Sequence, residues 1–261
     1  MFCMKRAPGS HKTENGIVAV IGGSLHMHGA PLFSALAAEA SGVDLLFLAL
    51  PKCHAEIAKA SSLNFQVHPF HGDDISEKDI DPLLQMLATV DAAVIGPGLA
   101  RTEAAQRVIR EIAESALCPL VLDASALQPW TVKVAVGKQM VLTPHLGELE
   151  RMGIEYGDVA ATAKSLGVTI HVKGQTDTIA LPDGSVRTVD GGNAGLTVGG
   201  TGDALAGLIA GLLAQRMMQE EACVAASTAI KRAGDELEAG YGFAYGTRRV
   251  IDRIPSILRT L

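Results

Sequence analysis

Aromatic residues are scarce, making up 4% of the 261 residues against 48% for hydrophobic residues as a whole. The core must therefore be built from Ala, Val, Ile and Leu, which suits parallel strands covered by Ala-rich helices. Runs of Lys or Arg are absent as well. The 22 basic residues are scattered among 28 acidic ones, for a net charge of −6. A nucleic-acid partner calls for a basic face, so that class is not expected. Cysteine is sparse: Cys3, Cys53, Cys118 and Cys223 show no CxxC spacing and read as reduced, mostly structural thiols of a cytoplasmic protein. The longest apolar stretch, residues 204–214, is too short to span a bilayer and reads as a buried helix. No apolar core of signal-peptide length occurs near residue 1, so a soluble chain with no membrane partner is expected. His26, His28, His68 and His71 lack matching Cys or acidic spacing, and no protein-bound metal is expected from them.

Two familiar nucleotide signatures are also missing. No GxGxxG occurs, and the lysine of a P-loop has no counterpart, because Asp203 follows Gly202. A nucleoside phosphate must be held some other way.

What is present is alternation. Short apolar runs at Ile17–Ile21, 44–50, Ala92–Ile95, Leu120–Leu122, Met140–Leu142 and 168–172 read as strands. Ala-rich segments at 30–40, 102–116, 158–166, 203–215 and 220–239 read as helices. Gly167 is placed to end one helix, and Pro182-Asp183-Gly184 to turn a hairpin. No repeat or linker interrupts the pattern, so one α/β domain over residues 1–261, with a mainly parallel sheet and helices on both faces, is the economical reading. Such sheets bind ligands beyond the carboxyl ends of their strands. Gly22–Ser24, Gly96–Gly98, Asp123, Thr143–His145 and Lys173 all fall there.

The sharpest segment is Gly199-Gly200-Thr201-Gly202-Asp203, leading into an apolar helix. Its glycines let backbone N–H groups converge, and the helix N-terminus adds positive partial charge, which together suit phosphate. Asp203 would repel that phosphate unless it accepts a proton from a hydroxyl attacking phosphorus. As a helix cap it would need no chemistry at all. Lys173 either meets a phosphate or is a solvated lysine at a strand end. His145 either contacts substrate or is satisfied by nearby backbone, with Thr143 or Glu148 as capping groups. Asp123 is tied to backbone donors or faces metal-bound phosphates.

Taken in order, Gly23-Ser24, Gly29-Ala30-Pro31, Gly96-Pro97-Gly98-Leu99, Asp123-Ala124, Leu142 to Glu148, Lys173-Gly174 and Gly199 to Gly207 resemble the NAD(P)H-hydrate dehydratase family, over about residues 16–215. The resemblance implies a ribokinase-like fold and a repair reaction on NADH or NADPH hydrated in the nicotinamide ring. ADP or ATP would phosphorylate the ring hydroxyl, and loss of phosphate would restore the double bond. By position, Ala30, Gly98, His145 and Asp203 would contact the hydrated cofactor, with Asp203 as base. Lys173, Gly174, Gln175, Thr176 and Asp177, together with Gly199, Gly200, Thr201 and Gly202, would hold the adenine nucleotide. Mg2+ would accompany the phosphates. A homo-oligomer, a tetramer by resemblance, is implied. Many relatives carry an N-terminal epimerase domain; only about 15 residues precede the first strand here, so that activity is expected in another protein.

The chain departs from the family pattern at four places. His26-Met27-His28 stands where an aromatic is usual, and Asp123-Ala124-Ser125 replaces Asp-Ala-Asp. Leu196-Thr197-Val198 replaces a Met-Ala segment, and Pro51-Lys52 a Pro-Glu pair. These changes touch the substrate pocket and leave the phosphoryl-transfer residues in place. Two alternatives compete: a small-molecule kinase of the same fold, and a nucleotide-binding protein without catalysis. Retention of Asp203 beside an intact glycine loop argues against the second.

Overall fold

Burial alternates along the strands and decides the architecture. In β1 (Ile17–Ile21), Val18 and Val20 pack into one apolar layer while Ala19 and Ile21 pack into another. Both faces of the sheet must therefore be covered by helices. The structure is a computed structural model describing residues 6–261, so Cys3 lies outside the described residues.

The remaining strands are β2 (Leu45–Leu50), β3 (Phe65–Pro69), β4 (Ala92–Ile95), β5 (Leu120–Leu122), β6 (Met140–Leu142), β7 (Thr169–Val172), β8 (Asp177–Ala180) and β9 (Val186–Val189). They form one sheet in the order β3-β2-β1-β4-β5-β6-β7-β8-β9. Pairing is parallel from β3 to β7 and antiparallel for β8 and β9. The helices are α1 (Gly29–Ala40), α2 (Ala55–Ser61), α3 (Ile80–Leu87), α4 (Glu103–Ser115), α5 (Thr131–Ala135), α6 (Leu146–Arg151), α7 (Val159–Leu166), α8 (Thr201–Ala214), α9 (Gln219–Tyr241) and α10 (Thr247–Leu258). Leu36, Leu208, Ile230 and Ile254 carry α1, α8, α9 and α10 onto one face, and Leu83, Ile109, Leu149 and Leu166 carry α3, α4, α6 and α7 onto the other. Among the described residues no helix is long and apolar enough to cross a membrane.

The expected α/β architecture is found, with additions. The hairpin closes at Pro182-Asp183-Gly184, where the Leu181 amide donates to the Ser185 carbonyl at 2.9 Å. Gly167 ends α7 in the left-handed conformation, as its position suggested. Strand β3 and helices α2, α3, α5 and α10 are additions to the elements expected from the sequence. In β3 only Phe65 is fully buried, so this edge strand carries little apolar signal.

Strand order reverses at β1. The chain runs outward through β2 and β3, then returns to place β4 on the other side of β1. Ligand crevices form at such a switch point. There the Gly23 amide donates to the Pro97 carbonyl at 2.8 Å, joining the loops that follow β1 and β4. Gly96 has φ +127°, and a Cβ on it would lie 1.8 Å from the Asp123 carbonyl oxygen, so no other residue fits where β4 ends against β5.

Helix α8 crosses this region in close contact with α1. A Cβ on Gly207 would come within 2.0 Å of the Ser34 carbonyl oxygen, and Ser34 Oγ donates to the Asp203 carbonyl at 2.7 Å. The small residues of α8 thus set both how near it sits and where its first turn points.

Candidate active site

The carboxyl ends of β5, β6 and β7 bring Asp123, Thr143 and Lys173 together. Lys173 Nζ donates to Asp123 Oδ1 at 2.6 Å and lies 3.7 Å from Glu148 Oε2. Thr143 Oγ1 donates to the same Asp123 oxygen at 2.9 Å. Lys173 is therefore not a solvated strand-end lysine. Nor do backbone donors hold Asp123: its partners are an ammonium and a hydroxyl. Burial by itself favours the neutral amine, yet Asp123, Glu148 and, further off, Asp203 hold the Lys173 pKa above its ordinary value.

Asp203 occupies the first turn of α8, but it is not the cap. The helix begins at Thr201, two residues before the expected start, with Gly200 as N-cap at φ +99°. A Cβ on Gly200 would meet the Phe33 ring at 2.3 Å, so glycine is required there. No side-chain cap bond is made, and among the described residues no hydrogen bond to the Asp203 carboxyl is found. Burial raises its pKa, and the charges of Asp123 and Glu148 raise it further, while Lys173 opposes; the outcome is about 7. A carboxyl poised near neutrality and without a protein partner is suited to accept a proton.

Beside the N-terminus of α8 opens a cavity of about 820 Å³. Lys173, Gly174, Gln175 and Asp177 line one side, and Thr201 and Gly202 another. Lys173 Nζ reaches the α8 terminus, lying 3.2 Å from where a Cβ of Gly202 would stand. A volume of this size suits a nucleotide-sized ligand, and the wall combines a cation, exposed backbone and a helix N-terminus. Thr176 is not among its lining residues; its hydroxyl donates to Asp190. Gly199 and Gly200 do not line the cavity either. The Gly199 carbonyl instead accepts from Thr247 Oγ1 at 2.8 Å, anchoring the glycine loop to α10.

His145 caps α6. Its Nδ1 accepts from the Gly147 and Glu148 amides at 3.1 and 3.3 Å, and the His145 amide in turn donates to the Glu148 carboxylate at 3.1 Å. The side chain is locally satisfied, as one of the two readings had it, and it also lines the cavity. With Nδ1 accepting, a neutral ring carries its proton on Nε2.

Ala30 and Gly98 meet at the switch point, away from that cavity. A Cβ on Gly98 would lie 3.2 Å from the Ala30 Cβ and 3.3 Å from the Met27 Cβ. Met27, in the segment that departs from the family pattern, thus covers Gly98 at an exposed rim. Ser125, where the family carries a second carboxylate, is buried and donates to the Leu99 carbonyl at 2.7 Å. An ionised aspartate has no proton to give that oxygen.

Several cavity residues were missed from sequence. Gly191, Gly192, Asn193 and Ile230 line it, as does Lys231, while Leu196, Thr197 and Val198, expected at the substrate pocket, line this cavity as well. Lys231 is 6% exposed in α9. The signal was a lysine four residues after Ser227 on an otherwise Ala-rich helical face, where a charge is out of place. Asp177 is likewise buried; burial opposes its ionisation, but bonds from His171, Ser227 and the Gly174 amide hold its pKa below the usual value. Among the described residues no three His, Cys, Asp or Glu side chains converge as a metal cage.

The NAD(P)H-hydrate dehydratase family model matches residues 18–256. The chain is 34% identical to the ADP-dependent (S)-NAD(P)H-hydrate dehydratase of Nitrosopumilus maritimus, over 99% of this chain and 93% of that one. It is 36% identical to the bifunctional NAD(P)H-hydrate repair enzyme of Methanopyrus kandleri over 98% of this chain, and spans 52% of that longer relative. Among solved structures, the ADP/ATP-dependent NAD(P)H-hydrate dehydratase of Bacillus subtilis co-crystallized with ATP/Mg2+ superposes with a TM-score of 0.82 at 27% identity, covering 98% of this chain and 93% of that one. The architecture is the ribokinase-like one that the resemblance implied. On these matches, the chain belongs to the NAD(P)H-hydrate dehydratase family.

Proposed function

We propose that the chain dehydrates hydrated NADH and NADPH back to the working cofactors, with ADP as the preferred phosphoryl donor. Asp203 carries this reading: a carboxyl with pKa about 7, one residue beyond the cavity-lining Gly202 and beside the Lys173 ammonium. The nucleotide occupies the 820 Å³ cavity against residues 173–177 and the α8 N-terminus. The hydrated ring lies toward Ala30, Gly98 and His145. Its hydroxyl attacks the terminal phosphorus while Asp203 accepts the proton, and the bond to the departing nucleotide breaks, so that ADP yields AMP. Phosphate then leaves with the C–O electron pair, and loss of a proton from the adjacent carbon closes the double bond. Phosphorylation thus converts a poor leaving group into a good one. Lys173 and the α8 N-terminus stabilise the charge on the transferring group.

Mg2+ fits this arrangement as a phosphate-borne ion. Asp123 is already engaged by Lys173 and Thr143, and Asp177, the buried carboxylate that lines the cavity, by His171, Ser227 and the Gly174 amide, so the ion's ligands would be mainly phosphate oxygens and water. When bound, it would neutralise phosphate charge. The reading extends to one domain over residues 1–261 in a cytoplasmic homo-oligomer, with a tetramer as the form to test. The small-molecule kinase alternative is not favoured, because the full-length relatives carry the dehydratase name.

The test is to mix the protein with hydrated NADH, Mg2+ and ADP or ATP and follow the absorbance of reduced nicotinamide. A nucleotide-dependent rise that disappears in Asp203→Asn supports the reading. No rise with either nucleotide, from folded protein that binds AMP, contradicts it.

A further inference from the structure

Lys231 is a buried ammonium to which the reaction gives no part. It projects from α9, and its Nζ donates to the carbonyls of Gly174 at 3.1 Å, Gln175 at 2.6 Å and Gly191 at 3.4 Å, with Asp177 Oδ1 at 3.5 Å. Three backbone carbonyls from two loops thus converge on one cation. Their oxygens would repel one another without it. The two loops are different walls of the same cavity: Gly174 and Gln175 follow β7, and Gly191 follows β9.

One turn further along α9, Asp235 completes the arrangement. Its Oδ2 accepts from the Gly192 amide at 3.1 Å, and its Oδ1 accepts from Asn193 Nδ2 at 3.4 Å. The Gly191 carbonyl and the Gly192 amide belong to a single peptide unit. Lys231 and Asp235, spaced i and i+4 on one helix face, therefore grip that unit by its acceptor and its donor together. The unit sits between residues at φ +105° and +74°, a conformation that glycine allows but does not enforce. Something outside the loop must hold it, and α9 does so.

We propose that Lys231, assisted by Asp235, is a positioning residue for nucleotide binding: it clamps the loop after β7 to the loop after β9 and so fixes the width of the cavity between them. The inference rests on the nucleotide reading of that cavity. It assigns to α9, a helix far from the phosphoryl-transfer residues in sequence, control over the fit of the donor but not over the chemistry.

The experiment measures ADP and ATP binding by calorimetry, and steady-state kinetics with hydrated NADH, for the full chain and for Lys231→Met and Asp235→Ala. Lys231→Met is expected to raise the nucleotide Kd and KM about tenfold or more while the KM for hydrate stays within about twofold, since displaced positioning groups weaken what they position. Asp235 is exposed, so Asp235→Ala keeps the fold and carries the test even if Lys231→Met does not fold. Its expected effect is a rise of about threefold in nucleotide KM, again without change for hydrate. Unchanged nucleotide affinity in a folded Lys231→Met or in Asp235→Ala overturns the clamp. Equal losses for nucleotide and hydrate also overturn it, because they mark a general structural role. Failure of the unaltered chain to bind any adenine nucleotide is a different result, and it removes the nucleotide reading itself along with the clamp.

Discussion

Lys173 Nζ lies 2.6 Å from Asp123 Oδ1, an ion pair that joins the ends of β7 and β5 across the end of β6. It places a cation against Gly202 and sets the electrostatic environment of Asp203. The pair is buried, with the lysine side chain 18% exposed and the aspartate 2%. Removing one partner of such a pair leaves an uncompensated charge.

Lys173→Met is accordingly expected to lower folding stability by about 3 kcal/mol, read by urea denaturation at neutral pH. It also removes the one neighbour that lowers the Asp203 pKa. The acid limb of any residual activity should therefore move to higher pH.

Asp203→Asn should reduce turnover by about 10²–10⁴-fold, the usual contribution of a general base, while leaving ADP affinity near that of the unaltered chain. With a pKa of about 7, the unaltered enzyme should lose activity as pH falls below 7. One unit below that pKa the rate should be about tenfold under its plateau.

The same group makes a prediction about stability with the opposite sense. Its folded pKa lies above the ordinary carboxyl value of 3.8, so the native state binds a proton that the unfolded chain has released. Stability contributed by protonated Asp203 is thus lost as pH rises from about 4 through 7. Asp203→Asn should be more stable than the unaltered chain at pH 8 by about 1–2 kcal/mol, a discounted figure for a group that retains some solvent contact. That advantage should shrink toward pH 4. Denaturation series at the two pH values would check it.

Gly207→Ala would place a methyl 2.0 Å from the Ser34 carbonyl oxygen. The better helix propensity of alanine offers about 1 kcal/mol, and overpacking costs about 1–3 kcal/mol or more, so a net loss is expected. Because Ser34 also bonds the Asp203 carbonyl, turnover should fall with stability.

His145 separates two roles through two substitutions. His145→Ala removes a helix cap and should cost about 1 kcal/mol, whereas His145→Asn can cap and should recover most of that. If the ring also contacts the hydrated cofactor, both variants should raise the KM for hydrate by more than the KM for ADP, whose cavity the same side chain lines. Kinetics beside thermal melts would show whether the two effects part company.

Much of this site was legible in the sequence because strand ends and glycines leave local marks. Gly96-Pro97-Gly98, Asp123 and Lys173 each close an apolar run, and the parallel sheet brings such closings to one edge. Asp203 was legible as an odd carboxylate in an anion-binding loop, but its relation to the helix start was not. That depended on Gly200 adopting φ +99° under Phe33, a contact across 167 residues of chain. Lys173 in isolation reads as solvent-exposed, since nothing near it in sequence announces Asp123. The roles of Lys231 and the 191–193 loop were hidden for the same reason: their partners lie 40 to 57 residues away. Edge strand β3 escaped because little of it is apolar and buried. Helix α10 does carry helical spacing, with Val250, Ile251, Ile254 and Ile257 on its buried face, and was passed over because it bears no site residue.

The most direct test of the account is the product balance in one reaction mixture of protein, hydrated NADH, Mg2+ and ADP, with NADH read by absorbance and AMP and inorganic phosphate by chromatography. The account predicts one AMP and one inorganic phosphate for each NADH restored. AMP formed with a stable phosphoester and no NADH would make the chain a kinase, and would contradict the account.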